Sequence, residues 1–106
     1  LQDQCRGTDV AARYGGEEFV IALSDVTPDQ ATCALQRIVE LVREQPVCFE
    51  GREVPVSVSA GLVHVTDLAW ETLNSDALIT EADRRLYQAK SSGRDCLVDA
   101  SGSIRP

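Results

Sequence analysis

A chain of 106 residues has room for one modest domain, and its 17 acidic against 10 basic side chains leave a formal net charge of -7. That balance argues against non-specific binding to DNA or RNA, which needs an excess of Lys and Arg, while a small anionic ligand remains within reach of a few gathered basic residues. No apolar run approaches membrane-spanning length, and the sequence does not open on a signal-peptide pattern.

Residues 1–9 are polar and carry no starting cap. "VAARY" and "EFVIAL" are two short apolar runs joined by Gly15-Gly16, which predicts a β-hairpin over about 10–24. "TPDQ" at 27–30 predicts a helix start: Thr27 can cap, Pro28 suits the first helical position, and Gln30 completes a capping box. Ala31, Ala34, Leu35, Ile38, Val39 and Val42 follow helical spacing, and the helix must stop before Pro46.

"VCFEGREVPVSVSAGLVHV" predicts a strand, a turn at Glu50-Gly51 and a long strand. Val54, Val56, Val58, Ala60 and Leu62 share one face of it, and Ser57, Ser59 and Gly61 the other. Such small residues suit a helix packed closely over them, or a solvated face. A second helix is expected from about Ser75 to Ser91, with Leu78, Ile79, Ala82, Leu86 and Ala89 as its apolar stripe and Gly93 as its C-terminal stop. "CLV" at 96–98 is a last short strand, and residues 99–106 read as a tail. Helices mixed with hairpins indicate an α/β or α+β domain. Cys5, Cys33, Cys48 and Cys96 form no zinc-type pattern with the single histidine, His64, and are expected to be reduced and mostly buried.

"RYGGEEF", Arg13 to Phe19, carries the chemistry. Gly15 and Gly16 permit positive φ and leave room for a ligand to approach the backbone. Side chains adjacent on extended backbone point to opposite sides, so Glu17 and Glu18 need not share one job. A carboxylate there can bind a hard divalent cation or accept a proton from an attacking hydroxyl; a hairpin turn with solvated acids is the plainer reading.

"RYGGEEFVIAL", "VSVSAGLV" and "ADRRLYQAKSSGRD", in that order and separation, resemble the GGDEF family of diguanylate cyclases, with GGEEF an accepted variant of the signature. The resemblance covers nearly the whole chain. It implies an α+β sandwich, palm-like as in nucleotide cyclases, with a central, mainly antiparallel sheet flanked by helices. It also implies that the family's domain begins well before Leu1. The 106 residues are then a partial domain, lacking a strand with a metal-binding aspartate and an "FKxxND" segment, and are expected to be inactive alone.

The activity implied is condensation of two GTP into cyclic di-GMP and two pyrophosphates, in a homodimer. By the same resemblance, Glu17 and Glu18 are catalytic residues that hold Mg²⁺ or Mn²⁺. Gly15 and Gly16 make room for the nucleotide, and Lys90 and Arg94, in an "LYxAKxxGR" pattern, contact GTP. Without it, Lys90 and Arg94 are equally two solvated cations at a helix C-terminus. Asp83 and Tyr87 of that motif are taken as structural. "RGTD", Arg6 to Asp9, matches the family's product-inhibition site, with Arg37 completing it for cyclic di-GMP; Arg37 also reads as a solvated helix residue. The setting implied is bacterial signal transduction, with an N-terminal sensor domain and a cytoplasmic location, free or as the cytosolic part of a membrane-attached sensor. The alternative from another class is a non-catalytic receptor that binds cyclic di-GMP.

Overall fold

The computed structural model describes residues 10–13, 19–22, 25–102 and 104–105. Strands β1 (Val10–Arg13) and β2 (Phe19–Ala22) pair antiparallel, with Arg13 opposite Phe19 and Val10 opposite Ala22. The expected hairpin is therefore present. Helix α1 (Pro28–Glu44) opens on the expected capping box. The Gln30 N–H donates to Thr27 Oγ1 at 3.1 Å, and the Thr27 N–H donates to Gln30 Oε1 at 3.0 Å. It ends at Gln45, immediately before Pro46. Ala31 and Val39 on its stripe are buried, whereas Ala34 is exposed.

β3 (Val47–Phe49) and β4 (Arg52–Val54) form a second hairpin. Glu50 and Gly51 both have positive φ, +50° and +76°, the pattern of the two-residue turn whose twist matches its strands. The long strand expected from Val54 onward is interrupted. Residues 55–59 belong to no ladder, and β5 is only Ala60–Gly61. Pro55 has no N–H to donate, and no described strand lies beside 55–59 to receive the rest.

The centre of the fold is a β5–α2–β6 unit. Helix α2 (Ser75–Ser91) is capped by Asn74, whose Oδ1 accepts from the Ala77 N–H at 2.8 Å. It crosses between β5 and the parallel strand β6 (Leu97–Val98). Gly61 explains how closely it crosses. A Cβ there would fall on the Ala82 carbonyl and the Leu86 amide, and 2.9 Å from the Arg85 carbonyl carbon. The small-residue face thus serves helix packing at Gly61. Val39, Ala89, Leu97 and Val98 have no exposed surface, with Cys96 and Ala31 nearly as buried.

Two expectations are corrected. The tail contains a strand: β7 (Ile104–Arg105) pairs antiparallel with β6. The reversal is made locally, since Asp99 accepts from the Ser101 backbone and hydroxyl, and Gly102 adopts φ +72° while donating to the Asp99 carbonyl. The thiols are not mostly buried either. Cys33, on the outer side of α1, and Cys48, in the exposed β3–β4 hairpin, are open to solvent, and of the described cysteines Cys96 alone is buried. Among the described residues the strands pair as β1 with β2, β3 with β4, and β5–β6–β7, a mixture of helix and mainly antiparallel sheet in keeping with the expected α+β fold.

Candidate functional site

Gly15, Gly16, Glu17 and Glu18 lie outside the described residues, as do Arg6 and Asp9. β1 and β2 bracket the first four, since β1 ends at Arg13 and β2 begins at Phe19. Among the described residues no three His, Cys, Asp or Glu side chains gather to hold a metal ion. Arg37 is described, exposed on α1.

Lys90 and Arg94 are brought to one end of α2. Lys90 lies in its last turn, half-buried, where a cation is favoured by the helix C-terminus. An open groove of about 250 Å³ runs beside it, lined by Asp83, Leu86, Tyr87 and Lys90. Tyr87 is 74% exposed, so it does not pack in the described core. Trp70 is more exposed still, whereas His64 is structural. The His64 Nδ1 accepts from the Thr66 N–H at 3.2 Å, so Nε2 carries the proton and donates to the Val26 carbonyl at 2.9 Å.

Arg94 sits on unusual backbone. Gly93, Arg94 and Asp95 have φ of +111°, +65° and +52° in succession. Gly93 takes this conformation freely, as the expected helix stop; each non-glycine costs about 1 kcal/mol or more. Four hydrogen bonds to three residues hold the segment. The Arg94 N–H donates to the Ala89 carbonyl at 3.1 Å, closing the helix end. The Asp95 N–H donates to Ser59 Oγ at 3.2 Å. From α1, Arg43 Nε donates to Asp95 Oδ2 at 2.8 Å and its Nη2 to the Asp95 carbonyl at 3.1 Å. The carboxylate raises the Arg43 pKa further above its ordinary value.

Sequence reasoning missed both this clamp and the Arg85 cluster. Arg85 is buried, and its Nη1 donates to the Leu62 carbonyl at 2.6 Å and to Asp67 Oδ2 at 2.9 Å. Its Nε donates to Glu81 Oε2 at 2.8 Å, and Arg84 grips the same carboxylate. Hydrogen bonds from Arg84 first, and from Arg85 against the opposing effect of burial, hold the Glu81 carboxyl below the usual carboxylate range. A signal was available: Arg85 falls three residues after Ala82 and four before Ala89, on the apolar stripe, with Glu81 one turn earlier.

The family model of the diguanylate cyclase GGDEF domain matches residues 1–96. The chain belongs to the GGDEF domain family. Among its relatives, Response regulator PleD of Caulobacter vibrioides is 38% identical over 100 residues, covering 92% of this chain and 21% of the relative. Diguanylate cyclase A of Treponema denticola is 32% identical over 90 residues, 85% of this chain and 24% of the relative. This GGDEF chain therefore spans about a quarter of the length of such relatives. Diguanylate cyclase SiaD of Pseudomonas aeruginosa, solved with its activator SiaC, superposes with a TM-score of 0.79 at 28% identity, over 92% of this chain and 36% of that one. The GGDEF domain of DgcB from Caulobacter crescentus, solved with c-di-GMP, gives 0.81 at 22% identity, over 94% and 58%, a likeness of fold. No described helix of this GGDEF chain is long and apolar enough to cross a membrane.

Proposed function

We propose that this GGDEF domain works as a diguanylate cyclase in the full-length protein, joining two GTP into cyclic di-GMP in a homodimer. Each 3′-hydroxyl attacks the α-phosphorus of the opposing GTP. A P–O bond forms there, the bond to the β-phosphate oxygen breaks, and pyrophosphate leaves. The observation that carries this reading is the intact "GGEEF" of Gly15 to Phe19, bracketed by paired strands, in a chain that also keeps Lys90 and Arg94 at one helix end.

Glu17 accepts the proton of the attacking hydroxyl, and Glu17 and Glu18 hold Mg²⁺ or Mn²⁺, which supplies positive charge to the phosphates when bound. Gly15 and Gly16 leave the nucleotide space. Lys90 and Arg94 meet the phosphates, Arg94 through a fork that suits phosphate geometry. Arg6, Asp9 and Arg37 form a separate site where cyclic di-GMP inhibits. A sensor domain upstream, in a cytoplasmic signalling protein, is supported by the relative named as a response regulator. GTP turnover by the full-length protein with Mg²⁺, compared with Glu17→Ala, is the test. Full activity in the variant would remove Glu17 from the mechanism; cyclic di-GMP binding without any turnover by the wild type would make the protein a receptor instead.

A further inference from the structure

We propose that Arg43, with Ser59, is a positioning residue that fixes Arg94 for phosphate binding by clamping Asp95. The inference rests on the reading of Arg94 as a phosphate contact. Three successive positive φ values are not a conformation that Arg94 and Asp95 would keep unaided, because L-residues disfavour it. Strained backbone persists only where its surroundings over-determine it. Here they do so from three elements: Ala89 of α2 behind Arg94, Ser59 just before β5, and Arg43 in the last turn of α1. Arg43 grips both the carboxylate and the carbonyl of Asp95, so it fixes the peptide's direction as well as the side chain's.

The pair is a poor device for stability alone. Both side chains are more than a third exposed, and exposed pairs contribute little. Its geometric effect is larger, because Asp95 is the residue next to Arg94, and a small misplacement of a phosphate contact weakens binding disproportionately. Ser59, 36 residues earlier in sequence, holds the preceding peptide, the one that joins Arg94 to Asp95, by accepting from the Asp95 N–H.

The test uses the full-length protein and 3′-deoxy-GTP, which binds but cannot attack. Calorimetric affinity would be measured for wild type, Arg43→Ala, Arg43→Lys, Asp95→Gly, Arg94→Ala and the Arg43→Ala/Arg94→Ala double variant, each with its melting temperature. Asp95→Gly removes the carboxylate yet accepts the backbone conformation, so it remains informative if Arg43→Ala folds poorly. The expected result is that Arg43→Ala and Asp95→Gly weaken binding roughly tenfold, towards the Arg94→Ala level, with melting temperatures within a few degrees of wild type. Arg43→Lys should fall between, since an ammonium cannot bridge both oxygens with a fixed fork. The double variant should bind no worse than Arg94→Ala. Equal affinity in Arg43→Ala and wild type, or additive losses in the double variant, would overturn the positioning role while leaving the proposed function standing. A wild type that binds no 3′-deoxy-GTP would overturn the function itself and this inference with it.

Discussion

Gly61→Ala should be among the most damaging single-methyl changes in this domain. The added Cβ would overlap the Ala82 carbonyl and the Leu86 amide and stand 2.9 Å from the Arg85 carbonyl carbon. All three are backbone atoms of α2, so no rotamer change can relieve the overlap. Carbon atoms rest at about 3.5–4.0 Å, so α2 must retreat by roughly 1 Å. A gap of that size forfeits a quarter to a half of each dispersion well it opens, along a helix that also covers β6. Overpacking costs about 1–3 kcal/mol, and a purely backbone obstacle belongs at the upper end, near 3 kcal/mol. For a domain of this size that is a fall in Tm of about 12–24 °C. Thermal unfolding followed by circular dichroism is the assay, with Gly51→Ala as control. Gly51 also has positive φ, +76°, but nothing lies within 4 Å of its Cβ position, so it should lose only about 1 kcal/mol from backbone strain. A Tm for Gly61→Ala equal to that of Gly51→Ala, or within 2–3 °C of wild type on the scale of about 4–8 °C per kcal/mol, would refute the close crossing.

Arg85→Ala should lose about 3 kcal/mol in denaturant unfolding, because the half-buried Asp67 carboxylate loses its cation, keeping the His64 N–H as donor, and the Leu62 carbonyl loses the guanidinium; Asp67→Asn in the same background should add little further loss. Glu81→Gln should destabilise at pH 7 and converge on wild type in acid. The folded pKa of Glu81 is lowered, so its contribution is complete above the unfolded value of about 4.3 and disappears as pH falls through the lower folded value. Unfolding curves at pH 7 and pH 3 check the sign, and a constant difference between the two proteins would exclude the linkage. Alkylation of the native domain followed by mass spectrometry should label Cys33 and Cys48 and spare Cys96, whose thiol is buried and whose pKa is pushed up by burial and then by Asp95.

How much could be read beforehand depended on how local each cause was. The start of α1 was legible because Thr27, Pro28 and Gln30 act within one turn, and its end because Pro46 acts on its neighbour. The turn at Glu50-Gly51 is equally local. Gly61 stood out as a small residue on one face, but only the fold identifies Ala82, Arg85 and Leu86 as what it accommodates. Strands were harder, because a strand exists only with a partner. Val56 and Val58 alternate as a strand should, yet have no described partner, while Ile104 and Arg105, in a segment rich in Ser and Gly, pair with β6.

The candidate site divides along the same line. Lys90 and Arg94 are proposed because a motif sets them four residues apart at a helix end, and Glu17 and Glu18 because the signature surrounds them. Nothing local announces Arg43 or Ser59, which lie 52 and 36 residues from Asp95. The sequence "SSGRD" hints only at Gly93; that Arg94 and Asp95 follow it into the left-handed region depends on partners supplied by α1 and by the approach to β5. A motif thus records which side chains would meet a phosphate. On the reading proposed above, the direction from which Arg94 meets it depends on residues outside the motif. A change at Arg43 should therefore be felt at Arg94 although both ends of the "LYxAKxxGR" pattern are untouched.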